Sequence, residues 1–135
     1  MYKNILVPIA LDHERDSNQS LKIAKVLADE GAKITALHIM EEIPSYVAQY
    51  LPEGQIEDNA RQLQARLQSE LGDLEGVETK VISGHAGHAI VDYATHNEID
   101  CIVVASHRPG LTDFFLGSTA ARVVRHAPCC VHVTR

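Results

Sequence analysis

Short runs of Val, Ile and Leu alternate with helical patterns along the whole chain, and this alternation restricts the fold more than any other feature. NILVPIA (Asn4 to Ala10) is an almost continuous apolar run, as expected of a strand covered on both faces. KITALHI (33–39), VETKVIS (77–83), DCIVVAS (100–106) and the terminal CCVHVTR read as further strands. VETKVIS is the more polar and is expected at a sheet edge. Between these runs, Leu21, Ala24, Leu27 and Ala28 form one stripe of a helix over 16–30, with Gly31 as its stop. Ile56, Ala60, Leu63, Leu67 and Leu71 mark a long amphipathic helix, with Glu57 and Arg61 as an i,i+4 pair on its wet side. Its break falls at 72–76. Ala86, Ile90 and Ala94 mark a third helix, and a last one spans 118–126. The stretch 42–54 carries two prolines and two tyrosines without a clean period, and reads as a long loop with at most a helical turn.

The order β-α-β-α-β-α-β-α-β implies an α/β fold: an open, five-stranded parallel sheet with helices on both faces and right-handed crossovers. The first and fourth strands are the most apolar, so they belong at the centre, side by side. Ligands of such sheets bind beyond the carboxyl ends of the strands, where the winding reverses. That rule sets Pro8, Ile9 and Ala10 opposite the segment from Ala105 to Pro109, across one crevice.

A chain of 135 residues is one domain by length, covering 1–135. Its net charge of -6 argues against a general affinity for nucleic acid or for anionic membranes. No apolar run approaches a membrane span of about 20 residues. The start MYKNILVPIA reads directly as a strand, without a signal peptide's h-region, so the cytoplasm is the expected compartment. Cys101 sits in an apolar run, and Cys129 and Cys130 are adjacent, so no disulfide framework is expected. His126, Cys129, Cys130 and His132 share no established ligand spacing, and no metal is expected.

The chemistry concentrates in ASHRPGLTDFFLGSTAARVVRHAP (Ala105 to Pro128). A helix starting near Ser118 offers unpaired N–H groups and a partial positive charge. Gly117 permits close approach of a ligand, while Ser118 and Thr119 add hydroxyl donors, an arrangement suited to phosphate. The plain alternative is a Gly-Ser that merely starts and caps a helix. Arg108 has the geometry for two-point pairing with phosphate oxygens, or is a solvated loop charge; His107 is a ligand contact or a turn residue. His85 and His88 at a helix start read as ordinary surface. There is no Walker loop and no Gly-x-Ser-x-Gly elbow, and nothing assembles a nucleophile with a base.

NILVPI, TALHIMEE, the Gly84 helix start and ASHRPGLTDFFLGSTAARVVRHAPCCVHV together resemble the universal stress protein family over the whole chain, and most closely its small bacterial F/G-type branch. The resemblance implies an adenine nucleotide alpha hydrolase-like (Rossmann-like) sheet of strand order 3-2-1-4-5 and a homodimer paired through the C-terminal strand. Nucleotide-binding members carry Gly-x2-Gly-x9-Gly-Ser/Thr. Here Ala105 and Arg108 stand at the first two glycines, eight residues precede Gly117, and only Gly117-Ser118 is intact. Ala10 stands where members place an Asp. Carried over to this chain, the nucleotide contacts are Pro8, Ile9, Ala10 and Ile39 near the nucleoside, then Ser106, His107, Arg108, Gly117, Ser118 and Thr119 toward the phosphates. The implied ligand is ATP or another adenine nucleotide, with or without Mg2+.

The leading expectation is thus a cytoplasmic, stress-responsive regulator that binds ATP, ADP or AMP with little or no turnover. The alternatives are a homodimeric interaction module that binds no nucleotide, and a hydrolase or transferase acting on ATP. The edge left by CCVHVTR calls for a cover, and an antiparallel twin with Val131 and Val133 near the axis supplies one.

Overall fold

The computed structural model describes residues 1–11, 14–106 and 116–135. The expectations for His107 and Arg108 lie outside the described residues. In chain order the elements are β1 (Tyr2–Pro8), α1 (Glu14–Leu27), β2 (Ala28–Met40), α2 (Ser45–Ala48), α3 (Gln55–Leu71), β3 (Val77–Ser83), α4 (Ala86–His96), β4 (Cys101–Ala105), α5 (Ser118–His126) and β5 (Cys130–Thr134). The five strands form one sheet of order β3-β2-β1-β4-β5, and every neighbouring pair is parallel. No helix among the described residues is long and apolar enough to cross a membrane.

Alternation of side chains along the central strands supplies a core on each face of the sheet. On one face Ile5 and Val7 of β1 and Cys101 and Val103 of β4 pack with Leu21 and Ala24 of α1 and Leu67 and Leu71 of α3. On the other, Leu6, Ile102 and Val104 meet Ile90 and Ala94 of α4 and Ala120 and Val123 of α5. Parallel pairing requires both faces to be covered, which is why β1 and β4 carry runs rather than alternation. β3 and β5 form the edges, and β3 alternates in burial as its polar sequence predicts.

Three local readings differ from the sequence expectation. Helix α1 stops at Leu27, and residues 28–30 already belong to β2, with Ala28 opposite Tyr2. Gly31 therefore does not cap a helix: with φ 76° it sits inside β2, where the pairing shifts register between Tyr2 and Asn4. Only glycine takes that conformation without strain. Arg61 pairs with Asp58 rather than Glu57, one position nearer on the same helix face. Ile56 is substantially exposed while Leu67 is fully buried, so the apolar stripe of α3 engages the sheet chiefly through its second half.

The amino ends of β1 and β4 are clasped by Asp100. Its carboxylate accepts the amide N–H groups of Lys3 (2.8 Å) and Asn4 (3.1 Å), while its own amide donates to the Asn4 carbonyl (3.0 Å). The Asn4 amide group donates to the carbonyl of Asn97 at 2.8 Å. The clasp holds the central pair in register, so that their carboxyl ends open at one level.

Candidate functional site

Beyond those carboxyl ends lies a crevice of about 450 Å³. It occupies the point where the winding reverses, since β1 is followed outward by β2 on one side and neighbours β4 on the other. Pro8, Ile9 and Ala10 form its floor, Ile39 one wall, Val104 and Ala105 the opposite wall, and Thr119 of α5 closes the far end. Five of the residues named from sequence (Pro8, Ile9, Ala10, Ile39 and Thr119) therefore share one cavity.

The remaining described residues lie elsewhere. Ser106 is buried; its amide donates to the Thr134 carbonyl at 2.9 Å and its carbonyl accepts the Gly117 amide at 3.2 Å. It is a joint between β4, β5 and α5 and does not line the crevice. Gly117 caps α5 with ordinary φ and ψ of -57° and 154°. A Cβ added there meets, among the described residues, only the Ser106 carbonyl at 3.5 Å, an ordinary contact. Neither backbone strain nor this packing requires glycine at 117. Ser118 lines a neighbouring groove between α4 and α5 rather than the crevice.

The first turn of α5 carries amide N–H groups, at Ser118, Thr119 and Ala120, that have no intrahelical acceptor. The helix runs on to Arg125 and His126 in its last turn, complementing the dipole whose positive end faces the crevice rim. This end is suited to an anion, and the apolar walls at Ile9, Ile39 and Val104 are suited to a flat, weakly polar group.

Four contributors to the site escape a reading of sequence alone. His38 lines the crevice, and its Nδ1 lies 2.8 Å from the Ile9 carbonyl, tying β2 to the end of β1. That contact places the Nδ1 proton on the donor side of the bond, leaving Nε2 as an acceptor in the neutral ring. Glu41 stands at the rim. Arg66 of α3 donates from Nη2 to the Leu11 carbonyl at 3.0 Å and from Nε to Glu70 at 3.0 Å, which secures the turn after β1. Ser20 of α1 lies 3.4 Å from Thr134 across the buried side of the crevice. For His38 a signal existed: a histidine near the carboxyl end of an otherwise apolar strand.

The loop over 42–54 contains the short helix α2, preceded by Pro44. Tyr46 and Tyr50, on and just after this helix, are 70% and 83% exposed.

The fold and its crevice define a small, doubly wound parallel α/β domain with an opening at its switch point. The chain is a member of the universal stress protein family, whose model matches residues 1–135. Universal stress protein G of Salmonella typhimurium is 28% identical over 142 residues, covering 100% of each chain. The structure of UspA from Lactobacillus plantarum is 29% identical, covers 99% of this chain and 98% of its own, and has a TM-score of 0.69. More distant structures share the fold. One is a universal stress protein in complex with cAMP (20% identity, 99% and 97% covered, TM-score 0.64). Others are an Arabidopsis thaliana family protein with AMP bound (19%, 97% and 90%, 0.61) and the Archaeoglobus fulgidus protein with dAMP (16%, 99% and 98%, 0.62).

Proposed function

We propose that this protein is a cytoplasmic, stress-responsive regulator that binds an adenine nucleotide in the switch-point crevice, with little or no turnover. The observation that carries the reading is the convergence of Pro8, Ile9, Ala10, Ile39 and Thr119 on one cavity closed by the amino end of α5. Apolar walls receive the adenine, and N–H groups of the first α5 turn receive phosphate. The structures bound to cAMP, AMP and dAMP support an adenine ligand.

Low turnover is part of the same proposal; of the hydroxyls around the crevice, that of Ser20 is engaged with Thr134. A reducing compartment suits the three free thiols, Cys101, Cys129 and Cys130. ATP is the proposed ligand among the adenine nucleotides, with Mg2+ accompanying its phosphates.

Mass spectrometry of small molecules retained by the purified protein, followed by calorimetry with adenosine, AMP, ADP and ATP, tests the reading. Retention or millimolar binding of an adenine nucleotide is expected. No binding by any of them removes it. A second reading, a homodimeric interaction module without nucleotide, is favoured by the open edge of β5 and by Ala105 and Arg108 at the family's glycine positions.

A further inference from the structure

Past the rim of the crevice, α4 and α5 enclose a second cavity of about 430 Å³. It shares Glu41, Ala86 and Thr119 with the crevice, so the two are continuous around the amino end of α5. Its walls carry the guanidinium groups of Arg122 and Arg125 and the imidazoles of His85, His88 and His126, against the single carboxylate of Glu41. In a chain of net charge -6 this is a local reversal of sign. Among the described residues neither arginine makes an ion pair.

Arg122 is seated in the groove rather than waving above it. Its side chain crosses the face of α4 at Gly87, where an added Cβ would fall 2.8 Å from Arg122 Cδ and 3.2 Å from its Cβ. Gly87 does not adopt positive φ, so its backbone has no need of glycine, and glycine is less favourable than alanine in a helix. The close pass of Arg122 accounts for it. Arg122 lies one helical turn beyond Ser118, which lines the same groove.

We infer that this α4–α5 groove is a subsite for the distal phosphates of a nucleotide whose nucleoside occupies the crevice, and that Arg122 is its principal contact. The inference rests on the proposed nucleotide reading and narrows it to a polyphosphate ligand. A phosphate at Thr119 sits at the junction of the two cavities. A monophosphate or cyclic phosphodiester ends there, while each further phosphate enters the groove and brings charge to guanidinium groups able to bind two oxygens at once. No bond is made or broken.

Calorimetry with AMP, ADP and ATP on the wild-type protein, Arg122→Gln and Gly87→Ala tests the assignment, with circular dichroism to confirm folding. Wild-type affinity should rise from AMP to ATP by about tenfold or more, the scale of a charged hydrogen bond. Arg122→Gln should erase most of that rise and leave AMP within about twofold. Gly87→Ala, which displaces the arginine stem but keeps its charge, should produce a smaller loss in the same sense. Should the variants fail to fold, salt provides a second measure on the wild type: ATP binding should weaken more steeply than AMP binding. Equal wild-type affinities for AMP and ATP would overturn the subsite and leave the adenine site standing, as would an Arg122→Gln loss that is the same for both. Absence of binding by every adenine nucleotide would overturn both.

Discussion

Cys101 shows how one residue's surroundings become a measurable property of the fold. Burial in the sheet, reinforced by the neighbouring thiols of Cys129 and Cys130, pushes its thiol up to about 11. The unfolded chain ionises this thiol at a lower pH than the folded one does. Its protonated form thus leaves stability intact below the unfolded value, and stability falls as pH climbs from about 9 toward 11, by up to about 1.4 kcal/mol per pH unit. Urea unfolding at pH 8 and pH 10.5 should show this loss, and Cys101→Val should reduce it. A second prediction at this scale concerns Asp100. Asp100→Ala removes the acceptor of the Lys3 and Asn4 amides and should cost about 1–2 kcal/mol, whereas Asp100→Asn should retain part of it.

Among the elements, α3 separates what periodicity predicts from what packing decides. The stripe Ile56, Ala60, Leu63, Leu67, Leu71 is legible in the sequence, yet burial is graded along it. Leu67→Ala should therefore destabilise by about 3 kcal/mol, and Ile56→Ala by less than about 1, as read from urea midpoints. The boundaries of α5 and β3 are also legible in sequence, because Gly117-Ser118, Pro128, Gly76 and Gly84 punctuate them. The end of α1 is not. Leu27 and Ala28 continue the helical stripe, but the amino end of β1 recruits Ala28 as a strand partner, and a long-range pairing of this kind leaves no local mark. The short helix α2 is another example, since four residues are too few to show a period.

For the whole molecule, the open edge of β5 and the switch-point crevice each support a prediction. β5 exposes an unpaired ladder, and an antiparallel pairing with a second copy would cover it. Sedimentation at micromolar concentration should show a dimer, and Val131→Pro, which removes a ladder donor, should shift it toward monomer. A monomer in the wild type would refute the pairing. Binding in the crevice should also appear as stability: at a hundredfold excess of nucleotide over Kd, unfolding should become harder by about 2.7 kcal/mol, raising Tm by about 10 °C. An unchanged Tm at millimolar ATP would count against the adenine site.

The alternation of apolar runs with helical stripes was enough, by itself, to determine a parallel α/β sheet, the central position of β1 and β4, and the end of the sheet at which a crevice opens. These follow from periodicity and burial, which are local in the chain. Family motifs in the sequence then pointed to strand order and to a nucleotide. Only the tertiary structure decided which side chains meet there. Ser106 is locked between β4, β5 and α5, and Ser118 lines the α4–α5 groove that continues from the crevice. His38 and Glu41, unremarked in sequence, line the crevice. Arg122 acquires its seat from Gly87 on a different helix. The direction of a side chain near a strand or helix end depends on the backbone's exact phase, and meetings between distant elements depend on how the sheet's two faces are filled. Neither is written in any single stretch of the chain.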